Sequence, residues 1–388
     1  MNCTDYNDTE YMKKAAKDII SKLEQEGLSL SKNTLDKLMI LLNAVFKDVK
    51  DVTKIRQMNQ KLEHMMEVVE DSIDYINNKK HYSNQTIQLT PEQKETYVVN
   101  GILHDIGRIF EIYCLGTSGA QINFNHALLG SDFLKGHIGD SLTDNSGNKL
   151  PVEELDELLM KEPQEKFTVE DSGRQRIPRL RLMCYPDNLQ KYKPEGEEEP
   201  IENILTYCTA HHGDKDIPED CPFGTRKYLA AIRRTDRIAN LMQGMNIDPS
   251  LITGGKTAEE IASTYQANGD IHVIDDITFS ELTTGARGED GTIYLGVDRQ
   301  RKKDEQGNNL EYTPMRMFLS RVGWIYADDN DLSFYKFCKD TECIEKYIKT
   351  VKPYLTQEDL ARMEKIEKHV KDYISQKIEE LSLNQEVR

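Results

Sequence analysis

Apolar residues recur every three to four positions along most of this chain, and that spacing predicts helices before anything else is weighed. Tyr11, Ala15, Ile19 and Leu23 fall at four-residue steps, with Gly27 placed to end the helix they define. Leu35, Leu38, Leu42, Val45 and Val49 repeat the spacing in a second helix. A third spans about 54–78, its stripe made by Ile55, Met58, Leu62, Met65, Met66, Val69, Ile73 and Ile76. Thr90-Pro91-Glu92-Gln93 marks a helix start: Thr as N-cap, Pro in the first turn, Gln reaching back as in a capping box. The helix it opens should run to about Asp105, with Gly107 just beyond. Helical spacing returns over 201–212, stopped by Gly213, and over 226–243, stopped by Gly244. It closes the chain with Leu360, Met363, Ile366, Val370, Tyr373, Ile374 and Ile378 on one face, which can serve as an intrachain packing face or as the seam of a homodimer.

Two stretches break the pattern. Between about 136 and 200 the chain is rich in Gly, Pro, Asp and Glu and closes on the acidic run Glu195-Gly196-Glu197-Glu198-Glu199. It reads as an exposed insertion with a hairpin near Arg179–Cys184. Residues 271–325 look strand-like, with HVIDDITF, TIYLGV and GWIY separated by turns containing Gly and Asp. The expected architecture is therefore mainly α. A helical N-terminal cover occupies 1–53, a core with the insertion 54–245, and a smaller α+β region ending in a long helix 246–388.

The chain's 388 residues suit two to three domains or one enlarged domain. Its 67 Asp and Glu outnumber 50 Lys and Arg, a formal charge of −17 that argues against a nucleic-acid surface, where cations must displace phosphate counterions. A small phosphorylated substrate is not excluded, because metal ions could supply local positive charge. The longest apolar stretch, around Leu38–Phe46, is far short of the ~20 residues of a membrane span. The polar N-terminus lacks the features of a secretory signal, and the seven cysteines form no CxxC pair and are odd in number. Reduced thiols and a cytoplasmic location are expected.

Chemistry concentrates in an ordered series: His64, His104-Asp105, His126, His211-His212 and Asp236. Neutral imidazole and carboxylate both present lone pairs near neutral pH, a donor set suited to zinc, manganese or iron. Most of these residues sit on helices or at helix ends, which hold ligands rigidly. His104 and Asp105 are neighbours about 100° apart around a helix, so the pair can reach one metal or two adjacent ones.

On these residues the chain resembles the HD superfamily of metal-dependent phosphohydrolases. Leu103-His104-Asp105-Ile106-Gly107 matches its hallmark, and Asn125-His126-Ala127-Leu128-Leu129-Gly130 resembles its His-x-x-x-Gly element. Ala210-His211-His212-Gly213 is similar to the double-His element of the two-metal branch, and Arg234-Thr235-Asp236-Arg237-Ile238 to the helix bearing the last Asp ligand. The likeness covers roughly 55–245. It departs from the family in having Arg108 where Lys is usual, in its long insertion, and in lacking Gly-Tyr-Pro after His212, so the HD-GYP type is not supported.

The resemblance implies an HD-type helical core and two divalent ions, Mn, Fe, Zn or Mg. His64, His104, Asp105 and Asp236 would hold one, and His126, His211 and His212 the other, with Asp105 bridging. His81 is the alternative to His64 as first ligand. The implied activity is hydrolysis of a nucleotide or cyclic-dinucleotide phosphoester by a metal-bound hydroxide, with His104, Asp105 and Arg108 as catalytic residues. Arg108, Arg233 and Arg237 are candidates to grip phosphate oxygens, since guanidinium matches phosphate bidentately. Two other outcomes use the same ligands: a di-iron oxygenase acting on a polyol or phosphonate, and a non-enzymatic nucleotide sensor.

Overall fold

A computed structural model of the chain describes residues 10–46, 49–82, 88–115, 126–135, 199–213, 217–245, 257–267, 272–285, 315, 318–319, 321–326 and 331–386. The architecture is mainly α, and among the described residues there is no strand. Two compact units divide it. One comprises Met1–Lys80, Gln85–Gly213 and Ile217–Thr235; the other comprises His81–Asn84, Asp214–Asp216 and Asp236–Arg388.

The first unit opens with helices α1 (Glu10–Gln25), α2 (Ser29–Phe46) and α3 (Val52–Ile76). Gly27, at φ +71°, lets the chain reverse after α1, and the Leu28 amide closes the helix end on the Leu23 carbonyl at 2.9 Å. Ile19 and Leu23 of α1 and Leu35, Leu38 and Leu42 of α2 are buried, as the spacing predicts. Every residue of the expected α3 stripe is buried too. Helix α4 (Pro91–Leu103) starts with the expected capping box, in which Gln93 N–H donates to Thr90 Oγ1 and Thr90 N–H to Gln93 Oε1. Buried Glu95 of α4 caps α2 from the side, accepting from the amides of Leu30 and Ser31 and from the Ser31 hydroxyl. A carboxylate placed there satisfies amides that the first turn of any helix leaves without partners.

Helix α4 stops at Leu103, and after a two-residue turn α5 (Ile106–Leu115) begins. Gly107 lies inside α5 rather than beyond a helix end. A Cβ there would stand 2.0 Å from the His126 carbonyl oxygen and 2.8 Å from the Gly130 amide of α6 (His126–Lys135). This glycine is needed for close backbone approach, not for chain termination. Helix α6 also packs along α7 (Ile201–His211), and α4 packs on both α3 and α7. Of the expected insertion at about 136–200, residues 136–198, with the hairpin near 179–184, lie outside the described residues.

Helix α8 (Phe223–Met245) is unbroken through the division between the units. It ends at Met245, one residue past the expected stop at Gly244, where a Cβ would meet the Tyr347 ring at 1.8 Å, so that glycine also admits a ring. The second unit continues with α9 (Ala258–Ala267), α10 (Asp276–Thr284), α11 (Leu332–Thr341), α12 (Cys343–Val351) and α13 (Gln357–Glu386). Its core gathers Leu241, Ile274, Leu319, Val322, Tyr347, Ile348, Met363, Ile366 and Val370, with Phe318 and Tyr347 stacked at 3.8 Å. Of the apolar face expected of α13, Met363, Ile366, Val370 and Ile374 are buried in this core and Leu360, Tyr373 and Ile378 pack against it.

The expected α+β character of this region is not supported. HVIDDITF contains a helix start: Asp275 accepts from the Thr278 amide as N-cap of α10, and Gly285 ends that helix in the left-handed region. GWIY lies in a 3-10 turn, Val322–Tyr326. In the first, local capping outweighs the β-branched spacing. TIYLGV lies outside the described residues. No described helix is long and apolar enough to cross a membrane. The buried cysteines Cys208, Cys221, Cys338 and Cys343 form no disulfide.

Candidate metal centre

The turn between α4 and α5 is the hub of the site. It presents His104 and Asp105, both almost fully buried, to side chains carried by four other segments. His64 comes from the face of α3 opposite its main apolar stripe, where Val68 and Tyr75 are also buried. His126 is the first residue of α6, His212 follows the end of α7, and Asp236 is carried by α8. The close approach at Gly107 sets α6 directly against α5, bringing His126 to Asp105.

Two donor groups result. His64, His104, Asp105 and Asp236 form one, and Asp105, His126 and His212 the other; in each, the offered atoms lie within 4.8 Å of one another. Asp105 belongs to both, one oxygen to each. Its Oδ2 is 3.5 Å from His104 Nε2 and 3.7 Å from His64 Nε2. Its Oδ1 is 3.1 Å from His126 Nε2 and 3.4 Å from His212 Nε2.

The imidazoles are oriented as ligands. His104 Nδ1 lies 2.8 Å from the Gly101 carbonyl, and His212 Nδ1 lies 2.8 Å from the Thr209 carbonyl. A neutral ring that donates from Nδ1 to a carbonyl carries its lone pair on Nε2, the atom each turns towards Asp105. His126 Nε2 and His212 Nε2 stand 3.3 Å apart. Burial and nearby Arg108 push His126 down to about 3, so it stays neutral at ordinary pH. Asp236 is oriented in turn by Asn240, whose amide donates to its Oδ1 at 2.9 Å. Nitrogen and carboxylate lone pairs converging in a buried space fit a divalent cation, which turns their mutual repulsion into attraction.

Burial alone would raise the Asp105 carboxyl, but neighbouring positive charge, the Lys61 ammonium foremost, outweighs it and holds the group well below the usual carboxylate range. Lys61 sits one helical turn before His64 and pairs with Asp105 Oδ2. Sequence reasoning missed it. Its position on the His64 face was the available signal, but a lysine in an acidic chain reads as a solvated charge.

The remaining candidates have other surroundings. His211 is absent from both groups and instead lines a cavity of about 290 Å³ with Ser131, Lys135, Asn203 and Tyr207, its ring 4.4 Å from that of Tyr207. His81 lies in a 3-10 turn, its ring against Tyr82 and Phe337, and is likewise absent from both groups. Arg108 donates to buried Glu111 at 2.6 Å. Arg233 is fully buried and reaches the His211 carbonyl at 3.5 Å, which ties α8 to the end of the helix preceding His212. Arg237 is also buried.

Compared with known proteins, the chain matches no family model, no curated protein and no solved structure. Its class rests on its own geometry: a mainly helical protein with buried His/Asp groups that could hold a metal ion, an arrangement compatible with an HD-type site.

Proposed function

We propose that the protein is a metal-dependent phosphohydrolase of the HD type, acting as a phosphodiesterase on a nucleotide or cyclic dinucleotide. One observation carries this reading: a single buried carboxylate, Asp105, turns its two oxygens towards two separate imidazole sets. A shared carboxylate of that kind suits two adjacent cations, and such a pair supplies Lewis-acid polarisation of a phosphoryl oxygen and activation of a water near neutral pH.

The chain's own residues would do the rest. His64, His104 and Asp236 would hold one ion, and His126 and His212 the other, with the Gly101 and Thr209 carbonyls keeping two of the rings in register. Arg108, fixed by Glu111 and close enough to depress His126, is the guanidinium best placed to receive a phosphate oxygen. Arg233 would act from the interior, holding the His211–His212 turn through a backbone carbonyl rather than touching substrate. The cavity beside His211 offers room for the part of a substrate that does not react.

The test is hydrolysis of bis(p-nitrophenyl) phosphate and of a nucleotide and cyclic-dinucleotide panel by Mn-, Zn- and Fe-loaded protein, with Asp105→Asn alongside. Activity in the wild type that is lost in the variant is the expected result. No turnover with any metal, or iron-dependent oxygen uptake with a polyol or phosphonate in its place, would overturn the proposal.

A further inference from the structure

The two oxygens of Asp105 have unequal company. Oδ1 faces the rings of His126 and His212. Oδ2 faces those of His64 and His104 and in addition carries the Lys61 ammonium. That ammonium is largely buried, its side chain 16% exposed against 3% for Asp105. It arrives on the same face of α3 as His64, one turn earlier. One carboxylate oxygen therefore already holds a cation where the His64, His104 and Asp236 group would offer it to a metal. Two cations on one oxygen repel each other, and in a buried space little water screens them.

We propose that Lys61 is the resident counter-ion of the His64/His104/Asp105/Asp236 group and makes the two halves of the centre unequal. The first ion enters on the Oδ1 side, with His126 and His212. The Oδ2 side accepts an ion only once the Lys61 ammonium swings off Asp105, which its four-carbon stem and partial exposure allow. The inference rests on the metal-binding reading above and adds an order of loading. A protein built this way responds to metal supply in two steps, with the second ion set by competition against its own side chain.

The experiment is Mn²⁺ titration of chelator-stripped full-length protein, followed by bound-metal analysis and by electron paramagnetic resonance, where two ions sharing a carboxylate give a coupled signal. Wild type should bind one ion tightly and a second about tenfold or more weakly. His126→Ala should lose the tight ion, and Asp236→Asn should keep it. Lys61→Met should bring the second affinity to within about threefold of the first and yield the coupled signal at lower Mn²⁺. Equal affinities in wild type, survival of the tight ion in His126→Ala with its loss in Asp236→Asn, or an unchanged gap in Lys61→Met would each overturn the proposal. Should Lys61→Met not fold, the His126 and Asp236 variants decide the matter alone. Protein that binds no Mn²⁺, Zn²⁺ or Fe²⁺ overturns both this inference and the metal reading. The predicted loading order without phosphoester hydrolysis supports this inference and removes only the hydrolase.

Discussion

Buried polarity is distributed very differently in the two units. In the second, the core is a run of aliphatic and aromatic side chains, and its buried carboxylate, Asp359, is matched by nearby donors: the Val273 and Ile274 amides and the Thr356 hydroxyl. In the first, buried His64, His104, Asp105, His212, Glu111 and Arg233 are concentrated around one turn. There, imidazole nitrogens and carboxylate oxygens converge on Asp105, which also pairs with Lys61. Burying polar groups in a donor-acceptor match costs little; burying acceptors against acceptors costs stability unless a cation joins them. The second unit's buried carboxylate is satisfied within the chain, whereas the first unit's buried His/Asp cluster could in addition hold a metal ion.

Replacements can break this contrast. The largest effect belongs to Asp105→Asn, which removes the shared carboxylate; metal affinity should fall by about a hundredfold or more, read by bound-metal analysis after gel filtration. Gly107→Ala follows. Its methyl has no room before the His126 carbonyl, so about 3 kcal/mol of stability should be lost and metal binding weakened with it, checked by denaturant titration with and without Mn²⁺. Asp359→Ala is the matched control in the second unit. It should cost about 2 kcal/mol, by stranding two buried amides, while metal content stays unchanged.

Glu67 of α3 sharpens the comparison through pH. Burial first, then Glu63 and Glu70, push its carboxyl up to about 8. A raised acid favours the folded state below its ordinary range, near 4.5, and loses that advantage as pH rises through 8. Glu67→Gln should leave stability nearly unchanged at pH 5 and raise it by about 2 kcal/mol at pH 9. Melting curves across that range would show it, and a gain of equal size at both pH values would contradict the burial argument. The smallest effect is Thr90→Ala, about 1 kcal/mol from loss of the α4 cap, with no pH dependence of its own.

Much of this was legible in the chain alone, for identifiable reasons. Helical stripes such as Ile55 to Ile76 and the Thr90 cap are local patterns, set by residues three or four apart, and the structure reproduces them. Gly107 misled because a glycine that ends a helix and one that admits a neighbour look the same in sequence; only the arrival of α6 separates them. HVIDDITF misled because apolar β-branched spacing is a weak signal beside an Asp275 cap. In the double-His element, adjacent residues on a helix end point in different directions. His212 joined Asp105, and His211 turned to the cavity with Tyr207.

The sequence by itself determined a mainly helical chain and the ordered His and Asp positions able to serve a metal. Both follow from short-range spacing and from side-chain chemistry that does not depend on context. The tertiary structure decided which oxygen of Asp105 meets which imidazoles, that Lys61 shares one of them, and that Arg233 is interior. Those outcomes depend on helices distant in sequence meeting at one turn, where a displacement of a few ångströms decides whether a charge is solvated or paired.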